Sequence, residues 1–226
     1  MSETAESTPE RFAPSDQPLD RVTMPQLVAA DIPLGSFVNL GIGRPTAVSN
    51  YLDPSAGIIL HTENGMLGMG PEARGAQIDP DLINAGKIAV TELPGASYFH
   101  HADSFAMMRG GHLDVCVLGA FEVSAGGDLA NWSTGDAGAI PAVGGAMDLA
   151  IGARQTWVMM NLLDKSGRAK FVANCGYPLT GVGCVNRLYT EYAVFEIGEQ
   201  ILVRSLHGMT FEELKDLLGF PVRLKG

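Results

Sequence analysis

Cysteine, long apolar runs and positive charge are all scarce in this chain. The three cysteines among 226 residues, Cys116, Cys175 and Cys184, stand in apolar or glycine-rich surroundings with no C-x-x-C spacing. That pattern argues against a zinc site or a disulfide framework and fits a reducing cytoplasm. No stretch approaches the roughly 18 apolar residues of a membrane span, and the opening MSETAESTPERFAPSDQP lacks a basic segment followed by an apolar one. Neither membrane insertion nor secretion is expected. Fifteen Lys and Arg against 25 Asp and Glu leave a net charge of −10, so the long-range field repels phosphodiester backbones and anionic membranes and makes nucleic acid an unpromising partner. A few placed cations and backbone N–H groups would still suffice for a local anion pocket. Nucleotide-binding signatures are missing as well. There is no G-x-x-x-x-G-K-[ST], LGIGRPT has Thr46 where a third glycine would stand, and GMLGMG carries its glycines in the wrong order.

Residues 1–19, rich in Ser, Thr, Pro and Glu, have too few apolar side chains to offset the entropy of ordering and read as a flexible tail. Residues 20–226 read as one domain. Within it, the pattern predicts a helix around MPQLVAADI, a strand FVNLGIG, a helix opening at Pro45 in RPTAVSNYL and a strand GIILHTE, a βαβ rhythm. The continuous apolar runs LDVCVLGA and TWVMM suit strands buried on both faces, which points to a largely parallel sheet between helices. LYTEYAVFEI and QILVRSL read as neighbouring strands. TFEELKDLLG reads as a helix with Thr210 as N-cap, Glu213 completing a capping box and Gly219 as the stop.

What is abundant is glycine, 28 residues, many paired after strand-like runs, where backbone can approach a ligand closely. The stretch ILHTENGMLGMGP brings Glu63 to the end of an apolar run and follows it with Asn64 and Gly65. From those letters alone, Glu63 is either a solvated turn residue or a carboxylate presented by a strand to a ligand.

The wider pattern weighs on that choice. HTENGMLGMGP, DLINAGK, LPGASYFHHADSFAMMRGGHLDVCVLGAFEVSAGGDLANW, VGGAMDLAIGAR and YPLTGVGCVNRLYTEYAVFE together resemble the beta subunit of the 3-oxoacid CoA-transferases, from about Pro25 to the C-terminus. YFHHADSFAMMRGGHLD and TGDAGAIPAVGGAMDLAIGARQ look most like the members acting on 3-oxoadipate. Members acting on acetoacetate usually carry a Ser-rich segment where His100 and His101 stand. The resemblance implies an α/β fold, an open three-layer α/β/α sandwich with a mostly parallel sheet, shared with ribose-phosphate isomerases. It implies that Glu63 is a covalent nucleophile working through a glutamyl-CoA thioester. It implies that Gly144 and Gly145 form the loop for the oxyanion and the thioester end of CoA, with Asn64, Gly65 and Lys87 near CoA. No tightly bound cofactor is implied, since CoA thioesters are substrates, and no metal. The implied partner is an alpha subunit, in a heterodimer or an α2β2 heterotetramer.

The remaining candidates have two readings each. His100 and His101 could hold the distal carboxylate of a dicarboxylic substrate, or pack at a helix start with Asp103 or Ser104 near its N-terminus. Arg109 could pair with a substrate carboxylate or with one of the protein's own. Asp128, with Asn131 and Trp132, could form a wall of the site or cap a loop. Lys87 could equally be a surface lysine. Arg44 stands where many relatives have a small or apolar residue, and VMMNLLDKSG departs from the acidic-His segment common in them. A sugar-phosphate isomerase or ligand-sensing module on the same fold is the reading from another class, as is a non-catalytic scaffold subunit.

Overall fold

The computed structural model describes residues 14–135, 138 and 144–226. In chain order the elements are α1 (Thr23–Asp31), β1 (Phe37–Leu40), β2 (Ile59–Thr62), β3 (Met66–Glu72), β4 (Val90–Tyr98), α2 (His101–Arg109), β5 (Val115–Leu118), β6 (Glu122–Ser124), β7 (Leu129–Ala130) and α3 (Ala146–Gly152). There follow β8 (Gln155–Met159), β9 (Phe171–Val172), β10 (Val185–Tyr189), β11 (Ala193–Ile197), β12 (Ile201–Leu206), α4 (Phe211–Leu218) and β13 (Arg223–Leu224). Ten strands form one sheet in the order β13-β12-β11-β10-β8-β5-β1-β2-β3-β4, and β7-β6-β9 form a small second sheet. The centre, β10-β8-β5-β1-β2, is parallel. Antiparallel pairs extend it at β2-β3-β4 on one side and β10-β11-β12 on the other.

Strand β5 shows why the sheet needs cover on both sides. All four of its residues are buried, and successive side chains of a strand point to opposite faces. Val115 and Val117 join a core with α1, Leu60, Trp157 and Tyr189, whereas Cys116 and Leu118 join a core with α2, α3, α4 and the small sheet. Two apolar cores on one sheet define three layers. The α4 helix carries the capping box between Thr210 and Glu213 and ends at Gly219, whose φ of 69° suits glycine.

Three sequence expectations change in detail. The segment opening at Pro45 is a 3₁₀ helix, Arg44–Tyr51, not an α-helix. Its apolar side chains are too few for an α-helical face: only Pro45 and Val48 are buried. LYTEYAVFEI is two strands, because the Thr190 hydroxyl donates to the Ala193 carbonyl and accepts from the Ala193 N–H, turning the chain between β10 and β11. The ordered body also starts before residue 20. Ser15 bonds to Leu206 and Gly208, and the Leu19 N–H donates to Glu191 O at 2.7 Å, so backbone pairing holds residues 15–19 despite their polar composition. Residues 1–13 of the expected tail lie outside the described residues.

Candidate active site

The chain runs from β1 to β2 on one side and later returns to β5 on the other side of β1. In open α/β sheets, ligands bind beyond the carboxyl ends of strands where the order reverses in this way. A cavity of about 750 Å³ lies there, lined by Gly41 after β1, Glu63 after β2, Leu118 and Gly119 at the end of β5, and Met159 and Met160 at the end of β8. Gly144, Gly145, Arg44, Lys165 and Lys170 complete much of its wall.

Glu63 heads the three-residue turn between β2 and β3. Thr62 pairs with Met66, and the Gly65 N–H donates to Thr62 O at 3.1 Å. Gly65 has φ 108°, and a Cβ there would overlap the Phe99 carbonyl oxygen. Glycine at this position therefore lets the turn pack on the end of β4. The Asn64 side chain donates to Ile83 O at 2.8 Å and ties the turn to the neighbouring loop.

Glu63 is half-buried. Burial raises its carboxyl above the ordinary range, opposed by the charge of His101 and by the Gly145 backbone N–H, which donates to it; Asp148 adds to the rise. The contact with Gly145 leaves no room for a side chain, since a Cβ at Gly145 would lie 2.5 Å from Glu63 Oε2. Gly144, with φ 53°, turns the chain into that position.

A buried polar network underlies the turn. The Asn39 amide donates to His61 Nδ1 at 3.0 Å and to His61 O at 3.1 Å. The ring nitrogen Nε2 then carries the proton and donates to Ser104 Oγ at 3.0 Å, and the Ser104 hydroxyl donates to Thr62 O at 3.0 Å. Burial pushes the His61 pKa down to about 4, so the ring is neutral near pH 7. This chain of bonds fixes both peptides that precede Glu63. Its sequence signal is a polar residue inside each of two apolar strands, Asn39 and His61, which must find partners when buried.

Of the residues singled out in the sequence, Glu63, Gly144 and Gly145 come together in the cavity, with Arg44 and Asn131. The others do not line it. Arg109 pairs with Asp148 at 2.6 Å, bracing α2 against α3. His100 is the N-cap of α2, accepting from the Ala102 N–H, a role expected near Asp103 or Ser104. His101 packs against the Phe105 ring. The Asp128 carboxylate accepts from Ser124 and from the Gly183 N–H, closing a loop, and Trp132 donates to Leu179 O. Lys87 is exposed with φ 63° on a turn built by Asn84. Lys165 and Lys170 were not anticipated, because one lysine in a polar loop and one beside a short strand carry no local signature. Cys116 and Cys175 are pushed up to about 12 by burial and Cys184 to about 11, so none is a ready thiolate. Among the described residues no group of three or more His, Cys, Asp or Glu side chains could hold a metal ion, and no helix is long and apolar enough to cross a membrane.

A parallel-centred α/β sheet with a glutamate turn facing a glycine loop at its switch point is the arrangement of one class of acyl-group enzymes, and the sequence profile of the coenzyme A transferase family matches residues 21–215. The chain belongs to that family. It is 58% identical over 206 residues to the beta subunit of the 3-oxoadipate CoA-transferase of Pseudomonas putida, covering 90% of this chain and 96% of that one. It is 45% identical over 200 residues to the beta subunit of the succinyl-CoA:3-ketoacid coenzyme A transferase of Helicobacter pylori, covering 87% and 96%. In fold it resembles the acyl-CoA transferase YdiF of Escherichia coli O157:H7, with a TM-score of 0.67 and 20% identity over 94% of this chain. It spans 45% of that larger chain. The sugar-phosphate isomerase and sensor readings give way to this assignment.

Proposed function

We propose that the protein transfers CoA from succinyl-CoA to 3-oxoadipate, as the catalytic beta subunit of a cytoplasmic two-subunit enzyme in the breakdown of aromatic compounds. The observation that carries this reading is the Glu63 carboxylate, half-buried in a cavity wall and in contact with glycine backbone. Glu63 attacks the thioester carbonyl, the C–S bond breaks, and CoA leaves as a thiolate, giving an acyl–glutamyl anhydride. The thiolate then attacks the glutamyl carbonyl and expels the first carboxylate, leaving CoA on Glu63. The acceptor acid reverses these steps and departs as its CoA thioester, a ping-pong sequence. A carboxylate becomes an adequate nucleophile when water is excluded, and the Gly145 N–H is placed to donate to the oxyanion that develops beside it. The higher identity to the 3-oxoadipate relative than to the 3-ketoacid one, 58% against 45%, favours 3-oxoadipate over acetoacetate as acceptor.

The test is chemical trapping. The chain, combined with its alpha subunit, is given succinyl-CoA without acceptor, reduced with borohydride and mapped by peptide mass. Glu63 should be recovered as the alcohol, and Glu63→Ala should abolish both trapping and turnover. An unmodified Glu63 in a complex that binds CoA would overturn the covalent route.

A further inference from the structure

Acidic side chains outnumber basic ones in this chain by 25 to 15, yet the Glu63 cavity gathers Arg44, Lys165 and Lys170. Lys170 is half-buried, and its ammonium donates to Ala120 O at 3.0 Å. Its pKa is held below the ordinary lysine range by burial and then by the charge of Arg44. The acids near Lys170 are committed elsewhere. Asp164 pairs with Arg168 at 3.0 Å, Glu191 accepts from the Leu162 N–H and Glu122 from the Gly176 N–H. Among the described residues neither Arg44 nor Lys170 forms an ion pair. Two cations that depress one another and lack a counter-ion are stabilised by an anion entering between them.

We propose that Arg44 and Lys170 bind the remote carboxylate of a dicarboxylic acyl group, and so set the preference for dicarboxylic over monocarboxylic acids. This rests on Glu63 being the nucleophile. The phosphates of CoA fit this place less well, because they lie at the far end of the pantetheine arm from the thioester that must meet Glu63, whereas both cations share one cavity with Glu63. Leu118, Met159 and Leu163 line the same cavity and offer apolar surface to a methylene chain. The side chains that the sequence suggested for this task are occupied: Arg109 holds Asp148 and His100 caps α2.

The experiment uses the complex formed with the alpha subunit, with acetoacetyl-CoA as donor, since its acyl group has no remote carboxylate. The acceptors are 3-oxoadipate and 3-oxohexanoate, of equal length but with two carboxylates and one. Arg44→Met and Lys170→Met should each lower kcat/KM for 3-oxoadipate by about 10- to 100-fold, the range of a lost charge-assisted hydrogen bond. Turnover of 3-oxohexanoate and KM for the donor should stay as in the unaltered complex, and Arg44→Lys and Lys170→Arg should restore part of the loss. Equal losses with both acids, or a raised KM for acetoacetyl-CoA, would overturn the assignment. Borohydride trapping on Glu63 in the unaltered complex separates this failure from that of the transferase reading. Should Lys170→Met fail to assemble, Arg44→Met, at an exposed side chain, decides the question alone.

Discussion

At the scale of single residues, the site depends on an atom that is missing. Gly145 presents its N–H to Glu63 at a distance that excludes a β-carbon, which would sit 2.5 Å from Oε2 and 2.8 Å from Cδ. Its φ of −84° and ψ of 0° are open to other residues, so the constraint is the neighbouring carboxylate and not the backbone conformation. Gly145→Ala should therefore fold with little change in stability while displacing the nucleophile. A fall in kcat of about 100-fold or more is expected, in the range seen when a preorganised oxyanion donor is removed. Denaturant unfolding and steady-state kinetics on the same preparation check both halves. A variant of normal activity would show that the carboxylate does not work in the position described.

At the scale of elements, β1, β2 and α2 are joined by the Asn39–His61–Ser104 bonds beneath the Glu63 turn. His61 stays neutral in the folded protein down to about pH 4, whereas an unfolded histidine takes up a proton near 6.5. The unfolded state then binds more protons between those values, so His61 contributes stability that is complete above pH 6.5 and is lost as the pH falls toward 4. His61→Gln should flatten this part of the pH–stability curve, and at pH 7.5 should cost about 1–3 kcal/mol for partners left unmet. Urea unfolding of both forms across that range is the measurement, and parallel curves would refute the role given to His61. The same elements show what the sequence made legible. Strand identity, the α4 capping box and the position of Glu63 at a strand end followed from apolar runs, turn residues and family motifs. The crossing of α2 and α3 did not, because it depends on the Gly152 backbone meeting the Met108 carbonyl so closely that a Cβ has no space. Nor did the commitment of Arg109 to Asp148, 39 residues away, since ion pairs between helices leave no mark in local spacing.

At the scale of the whole molecule, each face of the sheet carries its own core, and the cavity lies where chain direction reverses around β1. That arrangement makes a stable scaffold, but it does not enclose the reacting carboxylate. Glu63 is only half-buried, and Arg44 and Lys165 are exposed at the same cavity. An anhydride intermediate facing water would be hydrolysed, and a solvated carboxylate would be a poor nucleophile. The chain also spans less than half of the YdiF transferase it resembles in fold, which leaves room in such an enzyme for a second unit to cover the site. The chain alone is therefore expected to give no sustained CoA transfer, and addition of the alpha subunit should restore turnover in step with formation of a larger species in size-exclusion chromatography. The isolated chain should also hydrolyse any thioester it forms, visible as CoA release without a new acyl-CoA. Transfer by the isolated chain at the rate of the complex would mean that its own cavity excludes water well enough, and that the alpha subunit serves something other than closure of the site.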